Sequence, residues 1–104
     1  MPEFGNPFAG LHNDRKLTHE ELIRAIRFMI SAEYEAIQLY EQLAESTDEN
    51  LAVEVLKDIA DEEKVHAGEF LKLLYELEPK ESIFYKEGGA EVVEMIEKLR
   101  GTQN

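Results

Sequence analysis

Apolar side chains recur at three- and four-residue steps from Leu22 to Ala44, through Ile26, Met29, Ile30, Ala36, Ile37, Tyr40 and Leu43. That is the period of an amphipathic helix. One acidic residue, Glu33, stands on the stripe where a hydrophobe is expected. Thr18-His19-Glu20-Glu21 supplies the helix start, a capping box in which Glu21 reaches back to the Thr18 amide. Ser46, Thr47, Asp48 and Asn50 interrupt the pattern, and Asp48 is the expected N-cap of the next helix. The second helix should run from about Glu49 to Glu78, with Leu56, Ile59, Ala60, Ala67, Phe70, Leu71 and Leu74 on its apolar side. Glu63 and His66 again fall on that side. Pro79 either ends this helix or opens a further turn through Ile83 to Tyr85. Gly88-Gly89 reads as a break, followed by a short third helix over residues 90–100 with Val92, Val93, Ile96 and Leu99 inward and Gly101 as its C-cap.

The pattern predicts an all-α protein: an antiparallel two-helix hairpin plus a short C-terminal helix. Each main helix would be roughly 40 Å long at 1.5 Å per residue, and the short connection forces the antiparallel arrangement. Residues 1–16 contain Pro2, Gly5, Pro7 and Gly10 without helical period. They read as a flexible N-terminal arm, with Phe4, Phe8 and Leu11 available to dock on a neighbour. The helical unit then spans 17–100, and 101–104 is a tail.

Such a hairpin does not close a core by itself. The first helix carries a second apolar stripe of Ala25, Phe28, Ala32 and Leu39, which a lone hairpin would leave in water. Another copy of the same hairpin is the simplest cover, so a homodimer forming a four-helix bundle is expected.

Composition narrows the chemistry. The 104 residues leave room for one domain and contain no cysteine, which excludes disulfides, thiolate metal sites and cysteine nucleophiles. A metal site would have to use carboxylate and imidazole, which favours iron, manganese or zinc. The net charge of −12 opposes binding to a phosphate backbone, so nucleic acid is not an expected partner. No apolar run reaches the roughly 20 residues of a membrane span. The start of the chain lacks the basic-then-apolar pattern of a secretory signal, so a cytoplasmic location is the expectation.

Glu63 and His66, three residues apart on one helix, project from the same side and can converge on one ion. A Glu-x-x-His pair alone is common in acidic helices. What separates this one is that Glu33, on the facing stripe, is a second carboxylate with no Lys or Arg at its level. A buried carboxylate without a counter-charge is costly, and bound cations relieve the cost. A two-fold axis would double the set to four carboxylates and two imidazoles, the inventory of a bundle-core di-iron centre. Tyr40, two turns from Glu33, suits either core packing with its hydroxyl on a carboxylate or a redox role. Glu35 lies far around the helix, where it could hold a second cation with its symmetry mate or simply face solvent. His12 and His19 read as surface residues.

The pattern Glu33-x-x-Ala36-x-x-x-Tyr40, with Glu63-x-x-His66-Ala67 thirty residues on, resembles the ferritin-like superfamily, and most closely the half-length encapsulated ferritins. That resemblance covers about Leu17 to Leu74. It implies a ferroxidase centre at a subunit interface, with Glu33, Glu63 and His66 as ligands and Tyr40 beside the iron. It also implies a ring of dimers, commonly a decamer, serving iron storage and detoxification as cargo of an encapsulin nanocompartment. Ala32 stands where the family has an uptake-site acid, leaving Glu35 there, and Leu39 replaces an aromatic before Tyr40. No Gly-Leu-rich targeting tail follows Arg100. Two other functions compete with a ferroxidase: a rubrerythrin-like di-iron protein that reduces peroxide, and a non-catalytic helical oligomerisation module.

Overall fold

The computed structural model describes residues 15–102, and these are all-helical: α1 (His19–Glu45), α2 (Asn50–Leu77) and α3 (Pro79–Thr102). The expected arm lies outside the described residues except for Arg15 and Lys16, and His12 lies outside with it. The chain forms two compact units, Met1–Leu74 and Tyr75–Asn104.

In the first unit, α1 begins as its sequence predicts. The Thr18 hydroxyl accepts the Glu21 amide at 3.2 Å, and the Glu21 carboxylate accepts the Thr18 amide at 2.8 Å. Arg15 grips both oxygens of the same carboxylate at 2.8 Å, extending the cap backwards by one turn. That guanidinium, with the Thr18 amide, lowers the Glu21 carboxyl to about 2. At the far end Ser46 closes the helix, its amide on the Leu43 carbonyl at 3.0 Å and its hydroxyl on that of Gln42 at 2.7 Å.

The cap of α2 differs from expectation by one residue. The Val53 amide bonds the Glu49 carbonyl at 3.0 Å, and the Leu51 amide bonds the Glu49 carboxylate at 3.3 Å. Glu49 is therefore the cap, and Asp48 lies outside the helix. The reason is local. The Thr47 hydroxyl already accepts the Glu49 amide at 3.2 Å, so the turn is completed before Asp48 is needed.

The hairpin is sealed by a row of isoleucines on α1, Ile23, Ile26, Ile30 and Ile37, ending at Ala44. Against them α2 buries Ala60, Ala67 and Leu74. Ile23 was not among the predicted stripe residues, whereas Leu22 and Leu43, which were, are exposed. The covered arc of α1 is thus rotated toward Ile23 and Ile30. The other flank of the stripe, including Leu22, Met29, Ala36, Tyr40 and Leu43, is open or half-buried.

The second unit corrects the sequence reading more heavily. α3 is not a short helix over residues 90–100. It has 24 residues and passes without a break through Gly88, Gly89 and Gly101. Pro79 occupies the first helical position, where its fixed φ and missing N–H cost nothing. The Glu81 amide bonds the Glu78 carbonyl at 3.1 Å, and the Ser82 hydroxyl bonds that of Pro79 at 2.8 Å. The glycines cost about 1 kcal/mol each in helix propensity, which is not enough to stop a helix already started. Tyr85, Gly88, Val92, Met95 and Leu99 also keep an alternating three- and four-residue step across the pair. Within this unit the Tyr85 hydroxyl donates to the buried Glu81 carboxylate, and the Tyr75 and Tyr85 rings meet edge-on with centroids 5.8 Å apart.

Candidate metal centre

Glu33 comes from the middle of α1, and Glu63 and His66 come from the middle of α2. Antiparallel packing brings them to the same level. Each offers one ligand atom, and the three atoms lie within 4.8 Å of one another. His66 Nδ1 is 3.6 Å from Glu63 Oε2 and 4.0 Å from Glu33 Oε2. These spacings are too long for hydrogen bonds but suit groups converging on an ion between them.

Burial is graded across the trio. The side chains of Glu33 and Glu63 are 17% and 19% exposed, and that of His66 is 49% exposed. Glu33 Oε2 has no hydrogen-bond partner although it is inaccessible to solvent. An ionised oxygen in that state carries a large desolvation cost. The donor set of two carboxylates and an imidazole matches a borderline or hard divalent cation and excludes a soft one. The residues therefore fit the metal that the sequence pattern implies.

Around the trio the open side is apolar. Met29, Ala36 and Tyr40 on α1 and Ile59 and Phe70 on α2 are all half-buried, and Leu43, Val55 and Leu73 are exposed beyond them. The trio thus sits in a hydrophobic face that is partly open to solvent. Lys64, next in sequence to Glu63, is directed away from the trio. It bonds Glu41 at 3.0 Å on α1 and Asp61 at 3.3 Å on α2, and these carboxylates raise its pKa. The reach of Lys64 to Glu41 on the other helix has no signature along the chain. Only the Asp61–Lys64 spacing was visible along the chain.

A family model described as Rubrerythrin matches residues 16–103. The chain belongs to the rubrerythrin family. Its fold is that of the encapsulated ferritins: the crystal structure of the encapsulated ferritin domain from Pyrococcus furiosus matches with a TM-score of 0.77 at 41% identity, over 83% of this chain and 88% of that one. A ferritin-like–encapsulin shell fusion protein of Pyrococcus furiosus is 41% identical over 85 residues, 82% of this chain and 25% of that protein. An encapsulin nanocompartment cargo protein of Myxococcus xanthus, EncC, is 42% identical over 87 residues, 84% of this chain and 65% of that protein. The chain therefore spans less than two thirds of either curated relative.

The remaining candidates of this rubrerythrin-family chain are placed unequally. Tyr40 is half-buried on the α1 face that carries Glu33, and Glu33 Oε2 accepts no hydrogen bond from it. Glu35 is exposed and outside the ligand cluster. His19 is exposed at the start of α1. No helix among the described residues is long and apolar enough to cross a membrane.

Proposed function

We propose that this protein is a ferroxidase that oxidises Fe(II) to Fe(III) with dioxygen, at a di-iron centre completed by a second copy of the chain. The observation that carries the reading is the convergence of Glu33, Glu63 and His66 within 4.8 Å, with one Glu33 oxygen buried and unpartnered. Three ligands are too few to hold two ions, but two copies supply four carboxylates and two imidazoles. The four carboxylate charges balance two divalent ions, so a site enclosed by apolar side chains would be neutral when loaded.

Iron is the substrate, and dioxygen takes one electron from each of two ions. The chain's own residues have simpler tasks. Glu33 and Glu63 bind the cations and, being flexible carboxylates, adjust their grip as the charge on the iron rises. His66, the most exposed of the three, contributes the neutral nitrogen donor. Tyr40, two turns from Glu33 on the same face of α1, would turn its hydroxyl toward a ligand once the face is covered. Met29, Ile59 and Phe70 then exclude bulk water and limit access to small molecules.

The family membership supports iron redox chemistry in general. Association with an encapsulin shell is carried over from the named relatives, and storage of the oxidised iron inside it and a ring of dimers from the resemblance alone. Glu35 remains a candidate for a secondary cation site between copies.

The test is anaerobic loading with Fe(II), then air. A ferric absorbance should saturate at two iron ions per dimer, and Glu33→Ala and His66→Ala should slow oxidation by ~100-fold or more. Oxidation at the wild-type rate in either variant would end the assignment. Preference for hydrogen peroxide over dioxygen would favour the rubrerythrin-like alternative. A monomer in solution with iron bound would sink the shared centre.

A further inference from the structure

We propose that Lys64 is a positioning residue for the candidate centre: by bridging Glu41 and Asp61 it fixes the axial register of α2 against α1, and with it the span between Glu33 and the Glu63–His66 pair. The inference rests on the ligand reading above, and nothing in that reading requires it.

The geometry is that of an inclined strut. The trio sets one level on the antiparallel pair, where Glu33 faces Glu63 and His66. Lys64 leaves the backbone at that level. Glu41 is eight residues further along α1, about 12 Å from it along the axis. Helical side chains lean toward the N-terminus of their own helix. In an antiparallel pair Lys64 and Glu41 therefore lean toward each other, and they meet at 3.0 Å. Asp61, three residues before Lys64, holds the ammonium from its own helix at 3.3 Å. A bridge perpendicular to two helices resists separation. One inclined to them resists sliding.

Ala44, Ala60 and Ala67 are buried in the hairpin, so part of the contact between α1 and α2 is made by side chains too short to form high ridges. A shift of α2 by a fraction of a turn is the displacement that the inclined bridge opposes. It would move Glu63 and His66 together along the axis and change their distances to Glu33 directly. The strut and the trio are linked through the backbone of two adjacent residues, Glu63 and Lys64.

Lys64 is about half exposed, so the expected effect is modest: the bridge should change metal binding rather than decide folding. Co(II) binding followed by its visible absorption, together with Fe(II) oxidation kinetics, provides the test on the full chain. Lys64→Met should weaken Co(II) binding about two- to fivefold, the range an exposed pair supports. It should raise KM for Fe(II) more than it lowers kcat, with helicity unchanged. Glu41→Gln should do the same. The exchanged pair Lys64→Glu with Glu41→Lys should recover most of the loss, which mere loss of a surface charge would not allow. Salt should weaken binding more in the wild type than in Lys64→Met. Wild-type Co(II) affinity and spectrum in Lys64→Met, or no recovery in the exchanged pair, would overturn the proposal. Failure of the wild type itself to bind Co(II) or oxidise Fe(II) would instead remove the ligand reading on which it stands.

Discussion

α2 and α3 are of similar length, 28 and 24 residues, yet they are helices for different reasons. α2 buries Ala60, Ala67 and Leu74 and holds its apolar side against α1. α3 buries no apolar residue among those described; its one buried side chain is Glu81, bonded by Tyr85. Phe84, Val92, Val93, Met95 and Leu99 are all exposed along it. Tertiary packing specifies the first helix. Local chemistry favours the second: a proline preorganised for the first position, with Glu81 in the first turn and Arg100 in the last matched to the helix dipole. A helix can therefore be fully formed where it buries no apolar side chain of its own among the described residues.

Truncation in the two helices should break or sharpen this contrast most clearly. Leu74 is 1% exposed, and Leu74→Ala should cost about 2–5 kcal/mol in urea unfolding, the usual range for a buried leucine. Met95→Ala in α3 should change the stability of the dilute, monomeric chain by less than about 0.5 kcal/mol. A loss at Met95 approaching that at Leu74 would mean that α3 is covered in solution.

The glycines of α3 give a smaller effect of opposite sign. An added Cβ at Gly88 or Gly89 meets nothing within 4 Å, and both lie in ordinary helical backbone. Gly88→Ala and Gly89→Ala should each stabilise α3 by about 1 kcal/mol, seen as added helicity and a higher melting temperature. A drop in helicity would restore the break that the dipeptide suggests.

The smallest effect is confined to the first turn of α1. The Glu21 carboxyl is lowered to about 2 by Arg15 and the Thr18 amide, from an ordinary 4.5. A depressed acid favours the folded state above its ordinary value and loses that contribution as pH falls toward the depressed one. Amide exchange at Glu21 and Leu22 should therefore quicken, relative to Ile37, between about pH 4.5 and 2. In Glu21→Gln that difference should vanish. Uniform quickening along α1 would point to global acid unfolding instead.

Much of the first unit could be read along the chain because its signals are local and repeated. The capping box at Thr18 and Glu21, the isoleucine period and the turn at 46–49 are all nearest-neighbour features. The trio was legible because polar residues on an apolar stripe are conspicuous. The rotation of the covered arc toward Ile23 was not, since Ile23 and Leu22 are equally hydrophobic and only the partner helix chooses between them. The α3 error has the opposite origin. Gly88-Gly89 carries the sequence signature of a turn, but a nucleated helix with favourable ends accommodates two glycines at a tolerable cost. The Lys64–Glu41 bridge joins residues 23 positions apart through side-chain reach, and no periodicity records that.

The alanines of the hairpin have a further consequence for how freely this sequence can vary. Ala60 and Ala67, at 1% and 4% exposure, flank Glu63 and His66 along α2, and Ala44 lies buried on α1. Their contribution is what they leave out. Adding carbon at these positions would wedge the helices apart and misplace the carboxylates, at about 1–3 kcal/mol per overpacked site. In most cores the largest side chains tolerate the least change. Here the strictest positions should be the smallest ones, where growth rather than loss is forbidden.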